Sequence, residues 1–187
     1  PDGRIFVADY TTGDVKIYDK EYKWLDSFSE YGEEPGQNIK SEFTDIRDGL
    51  YFMPEAGNHR ISVWDLDGNF KYTFGKKGTN AGELNNPEAS KFNSKGELIV
   101  SDLKNNRIQV FTKDGKLLRV FSKEGSGPGD LLAPAGIGID KDDNRGHRID
   151  ISGDTGDQRC GRLAFHARFC WRLCRNRFRP AGLGRQC

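Results

Sequence analysis

The first 144 residues contain no cysteine and only one histidine, His59. A cysteine nucleophile and a catalytic or metal-binding set of histidines are therefore excluded from this part of the chain. No apolar run approaches the ~20 residues that a membrane-spanning helix needs, so no membrane span is predicted. The motif G-x-S-x-G is missing, and the glycine-rich stretch 125–129 precedes neither Lys-Ser nor Lys-Thr, which excludes a serine-hydrolase elbow and a P-loop.

The chain also lacks an initiator methionine and a signal-peptide pattern, and it opens in mid-pattern at Pro1-Asp2-Gly3. We therefore expect a piece of a longer chain or a processed chain. Nothing in the sequence indicates a cellular compartment, a metal site in residues 1–144 or a cofactor.

Charge divides the sequence into two parts. Residues 1–144 hold 14 Lys and 5 Arg against 25 acidic residues, a net charge of −6. Residues 145–187 hold 10 Arg and 3 Asp with no Lys or Glu, a net charge of +7, and they contain all four cysteines. We expect 1–144 to be a folded domain and 145–187 to be an aberrant Arg- and Cys-rich tail. That tail is either a degraded fourth repeat, starting near "DTGDQR" (154–159), or the product of out-of-frame translation.

Three functional interpretations of the tail stay open. His166, Cys170 and Cys174 are spaced four residues apart, so a helix would present them along one stripe to Zn²⁺, although structural zinc normally takes four ligands in paired short spacings. Arginine interleaved with phenylalanine and tryptophan could bind nucleic acid. The four cysteines allow three disulfide pairings, and the sequence selects none of them.

What the first part does contain is a repeat. The segments "GRIFVADYTTGDVKIYD" (3–19), "GLYFMPEAGNHRISVWD" (49–65) and "GELIVSDLKNNRIQVFT" (96–112) superpose at spacings of 46 and 47 residues. A fixed period of this length is typical of propellers and solenoids. It divides the domain into units of about 3–48, 49–95 and 96–144.

Each unit reads as four short antiparallel strands. Asp-Gly between β-branched or aromatic runs, as at Asp114-Gly115, is a strong hairpin signal. In the run that follows Arg107, Ile108 and Val110 alternate onto one face while Phe111 occupies the other. A sheet with apolar groups on both faces needs neighbouring sheets to cover them. The sequence therefore predicts an all-β fold of sheets packed side by side.

The segments "AGNHRISVWDLDGNF" (56–70), "KNNRIQVFTKDGKLLRVF" (104–121) and "GSGPGDLLAPAGIGID" (125–140) resemble NHL repeats, whose family forms β-propellers that are commonly six-bladed. The resemblance covers residues 3 to about 144, and the first unit is a degenerate copy, with Asp14 and Ser41 in place of the expected Arg and Pro. It implies two four-stranded blades (about 43–74 and 88–121), a three-stranded piece before them and the start of another after them. A six-bladed ring needs roughly 280 residues, so we expect a partial arc of three to four blades that further blades or another chain must close.

Some repeated positions are expected to be structural. An acid and a base recur five residues apart, across a loop, in the second and third units, and we expect them to pair or to bond loop backbone within each blade. Aromatic residues recur at two further slots and are expected to pack between blades. The structural repeat positions are Asp9, Glu55, Asp102, Asp154, Trp64, Phe111, Phe74 and Phe121.

Strand alternation also predicts a binding face. With the strands of a blade called a to d, the b–c loops (10–14, 56–59, 103–106) and the long d–a loops (29–42, 75–87, 122–134) emerge at one end, and loops on a rigid scaffold commonly carry function. The candidate residues of this loop face are His59, Arg60, Lys76, Lys77, Asn80, Asn105, Asn106, Arg107, Lys123 and Ser126.

The function expected from this face is a non-enzymatic scaffold that binds a protein or peptide. The first alternative is a fragment of a metal-dependent six-bladed lyase or lactonase-like hydrolase whose catalytic blades lie outside the chain, since the fold family includes such enzymes. The second alternative is RNA binding, which the net charge of −6 disfavours because phosphate neutralisation supplies most of such affinity. No catalytic residue is predicted in the chain.

Overall fold

Short antiparallel strands account for almost all the regular structure. The computed structural model describes residues 2–140 and the backbone of 149–153. Within these residues there are thirteen strands and one 3-10 turn, Leu103–Asn105. The strands are β1 Ile5–Ala8, β2 Val15–Tyr18, β3 Trp24–Phe28, β4 Asp45–Arg47, β5 Leu50–Glu55, β6 Arg60–Asp65, β7 Phe70–Phe74, β8 Pro87–Phe92, β9 Leu98–Asp102, β10 Arg107–Phe111, β11 Leu117–Phe121, β12 Pro134–Ile139 and β13 Ile149–Gly153.

The strands form separate sheets in chain order. Blade 1 is the three-stranded sheet β1-β2-β3, blade 2 is β4-β5-β6-β7, blade 3 is β8-β9-β10-β11, and blade 4 begins with β12-β13. Every pairing between these strands is antiparallel. The predicted all-β arc of partial and four-stranded blades is confirmed. The predicted domain boundary at 144 stays a prediction, and Asp154 and most of the tail lie outside the described residues.

The outer hairpin of each complete blade depends on glycine for two reasons. Gly68 and Gly115 both have a φ of +82°, which residues with a Cβ rarely adopt. A Cβ on Gly68 would lie 2.8 Å from Phe28 Cβ of blade 1, and one on Gly115 would lie 2.5 Å from Phe74 Cβ of blade 2. The recurring Asp-Gly and the recurring Phe therefore form one contact, in which the turn of one blade packs on the last strand of the blade before it.

Three apolar clusters fill the spaces between blades, which we call seams 1/2, 2/3 and 3/4. Seam 1/2 is centred on Trp64, which is 4% exposed and packs on Phe28 with a ring-centroid distance of 4.9 Å. In seam 2/3, Phe111 packs on Phe74 at 5.4 Å. Seam 3/4 contains Ile108 and Val110, on the opposite face of β10 from Phe111. Each central sheet is thus covered on both faces.

Candidate binding face

The d–a loops have the same internal structure three times. Parallel bridges join Tyr31 to Asn38, Lys77 to Leu84 and Glu124 to Leu131. In each loop a backbone N–H near the end of the loop donates to a carbonyl at the start of the loop, as in Leu84 N to Lys76 O at 2.8 Å. The loops are therefore folded units. The side chains that they expose to a partner are those that are not used in the hydrogen bonds holding each loop, which we call the loop framework.

Arg107 joins blade 3 to the loop that precedes it through side-chain hydrogen bonds. Its Nε donates to Asp102 Oδ2 at 2.7 Å, and its two terminal nitrogens donate to the carbonyls of Thr79, Asn80 and Glu83, each at 2.8 Å. The side chain is 13% exposed. One planar guanidinium thus satisfies a carboxylate and three loop carbonyls at once.

Arg60 repeats this arrangement one blade earlier. It donates to Glu55 Oε2 at 2.9 Å and to the carbonyls of Glu33, Glu34 and Gln37 at 2.9–3.0 Å. The acid in each blade is fully buried, at Glu55 and Asp102 alike. Burial raises the pKa of Glu55, against the lowering influence of Asn58, Ser62 and Arg60. The acid and base that recur in the sequence are therefore joined at the base of the loops.

The two residues before each arginine complete the framework. The side-chain amide of Asn105 donates to Gly78 O at 2.9 Å and to Asp102 Oδ2 at 2.8 Å, and Asn58 makes the matching bonds in blade 2. His59 and Asn106 have φ values of 58° and 52°. In this left-handed conformation His59 Nδ1 accepts the N–H of Asn86 at 3.0 Å, and Asn106 Oδ1 accepts the N–H of Ala133 at 2.9 Å.

His59 acts here as a neutral acceptor. Burial lowers its pKa first, and Lys77 and Lys104 lower it further, while Asp102 acts in the opposite sense. Protonation would place an N–H where Nδ1 now accepts a hydrogen bond. The histidine is thus part of the loop framework, as Asn106 is in the next blade.

Blade 1 replaces the arginine with a lysine two positions later. Lys16 Nζ lies 2.8 Å from Asp14 Oδ1 and 3.2 Å from Asp9 Oδ2. The backbone N–H groups of Thr12 and Thr11, with Lys16, lower the pKa of Asp9 to about 2. A lysine cannot make the forked contact of Arg60 and Arg107, and Lys16 bonds only carboxylates.

The predicted binding candidates thus divide into two groups. Five of them use their side chains inside the framework, with the bonds given above: His59, Arg60, Asn105, Asn106 and Arg107. The other five lie exposed on the loops: Lys76, Lys77, Asn80, Lys123 and Ser126. Of the exposed group, Lys76 has a carboxylate nearby, Glu83, at 3.3 Å.

Sequence reasoning missed two residues of this face. Gln109 is fully buried, donates to Glu83 O at 2.6 Å and Asp102 Oδ2 at 3.0 Å, and accepts the N–H of Gly82 at 2.8 Å. Its position in an alternating strand gave no signal of this role. Tyr31 is 58% exposed on the first d–a loop, and its place one residue before the repeated Gly32 was available in the sequence as a signal.

Charge on the exposed side chains changes along the arc. The first d–a loop exposes Glu30, Glu33 and Glu34, whereas the second exposes Lys76 and Lys77. Lys104, on the b–c loop of blade 3, is also exposed and adds to the positive side. A partner that spans both loops would meet an acidic region with a tyrosine and then a basic one.

A second concave surface lies at the opposite end, where the a–b turns emerge. It is a cleft of about 460 Å³ lined by residues that include Arg47, Lys91, Phe92 and Asp140. Lys91 Nζ is 3.5 Å from Asp45 Oδ1, and the Arg47 guanidinium lies 6.0 Å from the centre of the Phe92 ring. Both cations that line the cleft therefore already have partners.

Two features are absent from the part of the chain that the structure describes. Within 2–140 and 149–153, no group of three or more His, Cys, Asp or Glu side chains is arranged to hold a metal ion. In the same part of the chain, no helix is long and apolar enough to cross a membrane.

Comparison with known proteins identifies the fold. A family model, DUF5128, described as a 6-bladed beta-propeller, matches residues 79–152. The structure is similar to that of streptogramin B lyase, with a TM-score of 0.55 and 18% identity over 73% of this chain and 41% of that one. The chain is an incomplete β-propeller. Among curated protein sequences none matches it.

Two further solved structures show a similarity of the same degree. A chain of the nidogen/laminin complex matches with a TM-score of 0.59 and 16% identity, over 76% of this propeller and 51% of that chain. A protein of unknown function from Bacteroides caccae matches with a TM-score of 0.55 and 17% identity, over 75% and 50%. At these identities the similarity concerns the fold alone. The propeller described here spans about half or less of the length of these structures.

Proposed function

We propose that the loop face of this propeller binds a protein or a peptide and that the chain performs no catalysis. The proposal is supported by the separation, on this face, between side chains that hold the loops and side chains that are exposed on them. Arg60, Arg107 and their neighbours hold the loops from beneath, and the exposed side chains at the loop tips take no part in that framework. A rigid platform with free tips binds a partner without a large entropic cost of ordering the loops.

Tyr31 and Lys77 occupy equivalent positions on successive d–a loops, and both are exposed. Tyrosine is enriched among the residues that dominate protein interfaces, because it buries a large apolar ring and keeps a hydroxyl for hydrogen bonding. The nidogen/laminin neighbour supports the proposal to this extent, that a propeller of this fold occurs in a complex between proteins. Since the chain spans only part of such rings, we expect further blades or a second chain to complete the surface.

Peptide selection against the immobilised full chain tests this proposal, with affinities then measured by calorimetry. We expect selected peptides to lose at least about tenfold in affinity for Tyr31→Ala or Lys77→Ala, which corresponds to about 1.4 kcal/mol. The matched controls are Lys95→Ala and Lys116→Ala, on the turns at the opposite end. Peptides that lose affinity for the control variants instead, or for neither pair, would refute a binding role for the loop face.

The lyase or hydrolase alternative makes a different prediction. It requires catalytic groups and a metal on blades outside this chain, and similarity to a lyase at 18% identity concerns only the fold. Metal analysis of a protein that carries the complete ring would show a stoichiometric ion under this alternative. RNA binding predicts retention of RNA on a filter that collapses as salt is added.

A further inference from the structure

Seam 1/2 differs from seam 2/3 at its loop end. Three buried positions differ between the two seams. In seam 2/3 two of them are apolar and the third is a carboxylate with both oxygens bonded, whereas in seam 1/2 all three are polar. Asn38 stands where Leu84 stands, Ser41 where Pro87 stands, and Glu55 where Asp102 stands. The exposed fractions of Asn38, Ser41 and Glu55 are 0%, 1% and 0%. The two seams therefore differ in buried side chains and not in exposed ones.

Each of these three side chains has an oxygen without a hydrogen-bond partner in the protein. The orphaned atoms are Asn38 Oδ1, Ser41 Oγ and Glu55 Oε1. A fourth, Ser29 Oγ, belongs to the residue equivalent to Gly75. By contrast, both oxygens of Asp102 in seam 2/3 are bonded, with Asn85 N donating to Oδ1 at 2.6 Å. A buried polar atom without a partner costs about 1–3 kcal/mol, so these four at the loop end of seam 1/2 indicate that something else satisfies them.

Backbone pairing places these groups in one region. Ser41 stands directly opposite Glu55 in an antiparallel bridge, which puts their Cβ atoms about 4.5–5.5 Å apart. Asn58 donates to Glu55 Oε2 and to Gly32 O, and Gly32 N–H donates to Asn38 O at 3.3 Å. The three buried side chains thus surround the point where blade 1, its d–a loop and strand β5 meet.

Ser29 points at the same region by repeat equivalence. A Cβ on Gly75 would lie 2.7 Å from Leu84 Cδ1. Ser29 and Asn38 occupy these two positions one blade earlier, and Ser29 has a φ of 67°, close to the 82° of Gly75. We therefore expect its side chain to lie towards Asn38.

We infer that seam 1/2 binds ordered water between the blades, which donates hydrogen bonds to Asn38 Oδ1 and Glu55 Oε1 and accepts from the hydroxyl of Ser41. A buried water typically makes about three hydrogen bonds to polar groups that lack other partners. The site offers acceptors that need donors and a hydroxyl that can donate or accept, which is the combination that water satisfies. In seam 2/3 the positions equivalent to Asn38 and Ser41 are Leu84 and Pro87, which present no polar side-chain atom there.

Charge favours water over a metal ion in this site. The only carboxylate of the group, Glu55, already faces Arg60 Nε at 2.9 Å. Ca²⁺ takes six to eight oxygen ligands, normally with more than one carboxylate among them. A neutral set of one amide oxygen, two hydroxyls and a neutralised carboxylate does not match that demand.

A crystal structure of the full chain tests the inference directly. We expect a water within about 2.7–3.2 Å of both Asn38 Oδ1 and Glu55 Oε1. The inference is overturned by a seam in which Ser41 or Ser62 bonds these oxygens directly with no water between them. It is equally overturned by a cation in the site.

A triple substitution gives a second, independent test. Asn38→Leu, Ser41→Pro and Glu55→Asp together install the residues of seam 2/3. The backbone accepts proline at 41, because Lys40 has a φ of 59° and the residues before Pro87 and Pro134 have φ values of 61° and 49°. We expect this variant to contain no water between positions 38, 41 and 55 and to melt at the same temperature or about 2–4 °C higher. The reciprocal control, Leu84→Asn with Pro87→Ser, is expected to melt lower.

Two results of the melting experiment contradict the inference. A melting temperature that falls in the triple variant would mean that the polar groups stabilise the seam through direct bonds. A rise on adding millimolar Ca²⁺ that the parent shows and the triple variant lacks would assign the site to a cation.

Discussion

Replacing Arg107 with lysine keeps the positive charge but removes the planar set of guanidinium donors. The substitution therefore isolates the contribution of the guanidinium geometry to stability. Lysine Nζ can approach either the Asp102 carboxylate or the loop carbonyls, whereas Arg107 reaches Asp102 and three carbonyls together. Hydrogen bonds from a charged group contribute about 1.5–3 kcal/mol each, but the exposed carbonyls of Thr79 and Asn80 can return to water. We therefore expect Arg107→Lys to lower the free energy of unfolding by about 2–3 kcal/mol.

Arg107→Ala is expected to cost more, about 3–5 kcal/mol, because it leaves the fully buried Asp102 carboxylate without its cation. Urea unfolding followed by far-ultraviolet circular dichroism measures both values. Lys104→Ala is the matched control, since Lys104 is exposed on the same b–c loop, and it is expected to stay within about 0.5 kcal/mol of the parent. If Arg107→Lys were as stable as Lys104→Ala, the forked contact would not be what holds the 75–87 loop.

Three more outcomes follow from the same structure. Trp64→Ala is expected to cost about 3–5 kcal/mol in urea unfolding, since it empties the centre of seam 1/2. Gly115→Ala is expected to destabilise more than Gly49→Ala, because both have a positive φ but only Gly115 approaches Phe74. Folding stability is expected to fall as the pH drops below about 6.5, because the lowered pKa of His59 means that the unfolded chain binds the proton first. His59→Asn, which installs the residue found at 106, should remove that part of the pH dependence in urea unfolding measured from pH 5 to 8.

The fold could be predicted from the sequence because its determinants are local and repeated. Asp-Gly fixes the outer hairpins of blades 2 and 3, and alternation of apolar residues on both faces requires neighbouring sheets. The acid at 102 and the base at 107 were also visible as a recurring pair. Each of these features is encoded by residue identity at a fixed spacing.

The loop framework could not be predicted in the same way. The acceptors of Arg107 are backbone carbonyls 24–28 positions earlier in the chain, and every residue has a carbonyl, so no identity marks them. Gln109 bonds the same loop and looks like an ordinary strand residue. The sequence predicted a binding face from loop position alone, whereas the structure distinguishes the side chains that hold the loops from those that are exposed on them.

Because each framework arginine reaches back to one loop only, the loop face is held in independent segments. Arg60 bonds carbonyls of the first d–a loop, and Arg107 bonds those of the second. Stability in a repeat protein is approximately a sum of units and nearest-neighbour contacts, so loosening one loop should leave the other unchanged. We expect Arg60→Lys to increase amide hydrogen exchange in residues 29–42 alone and Arg107→Lys to increase it in residues 75–87 alone. Exchange that rises in both loops in either variant would mean that the arc opens as one unit, and the loops would then present a single coupled surface to a partner.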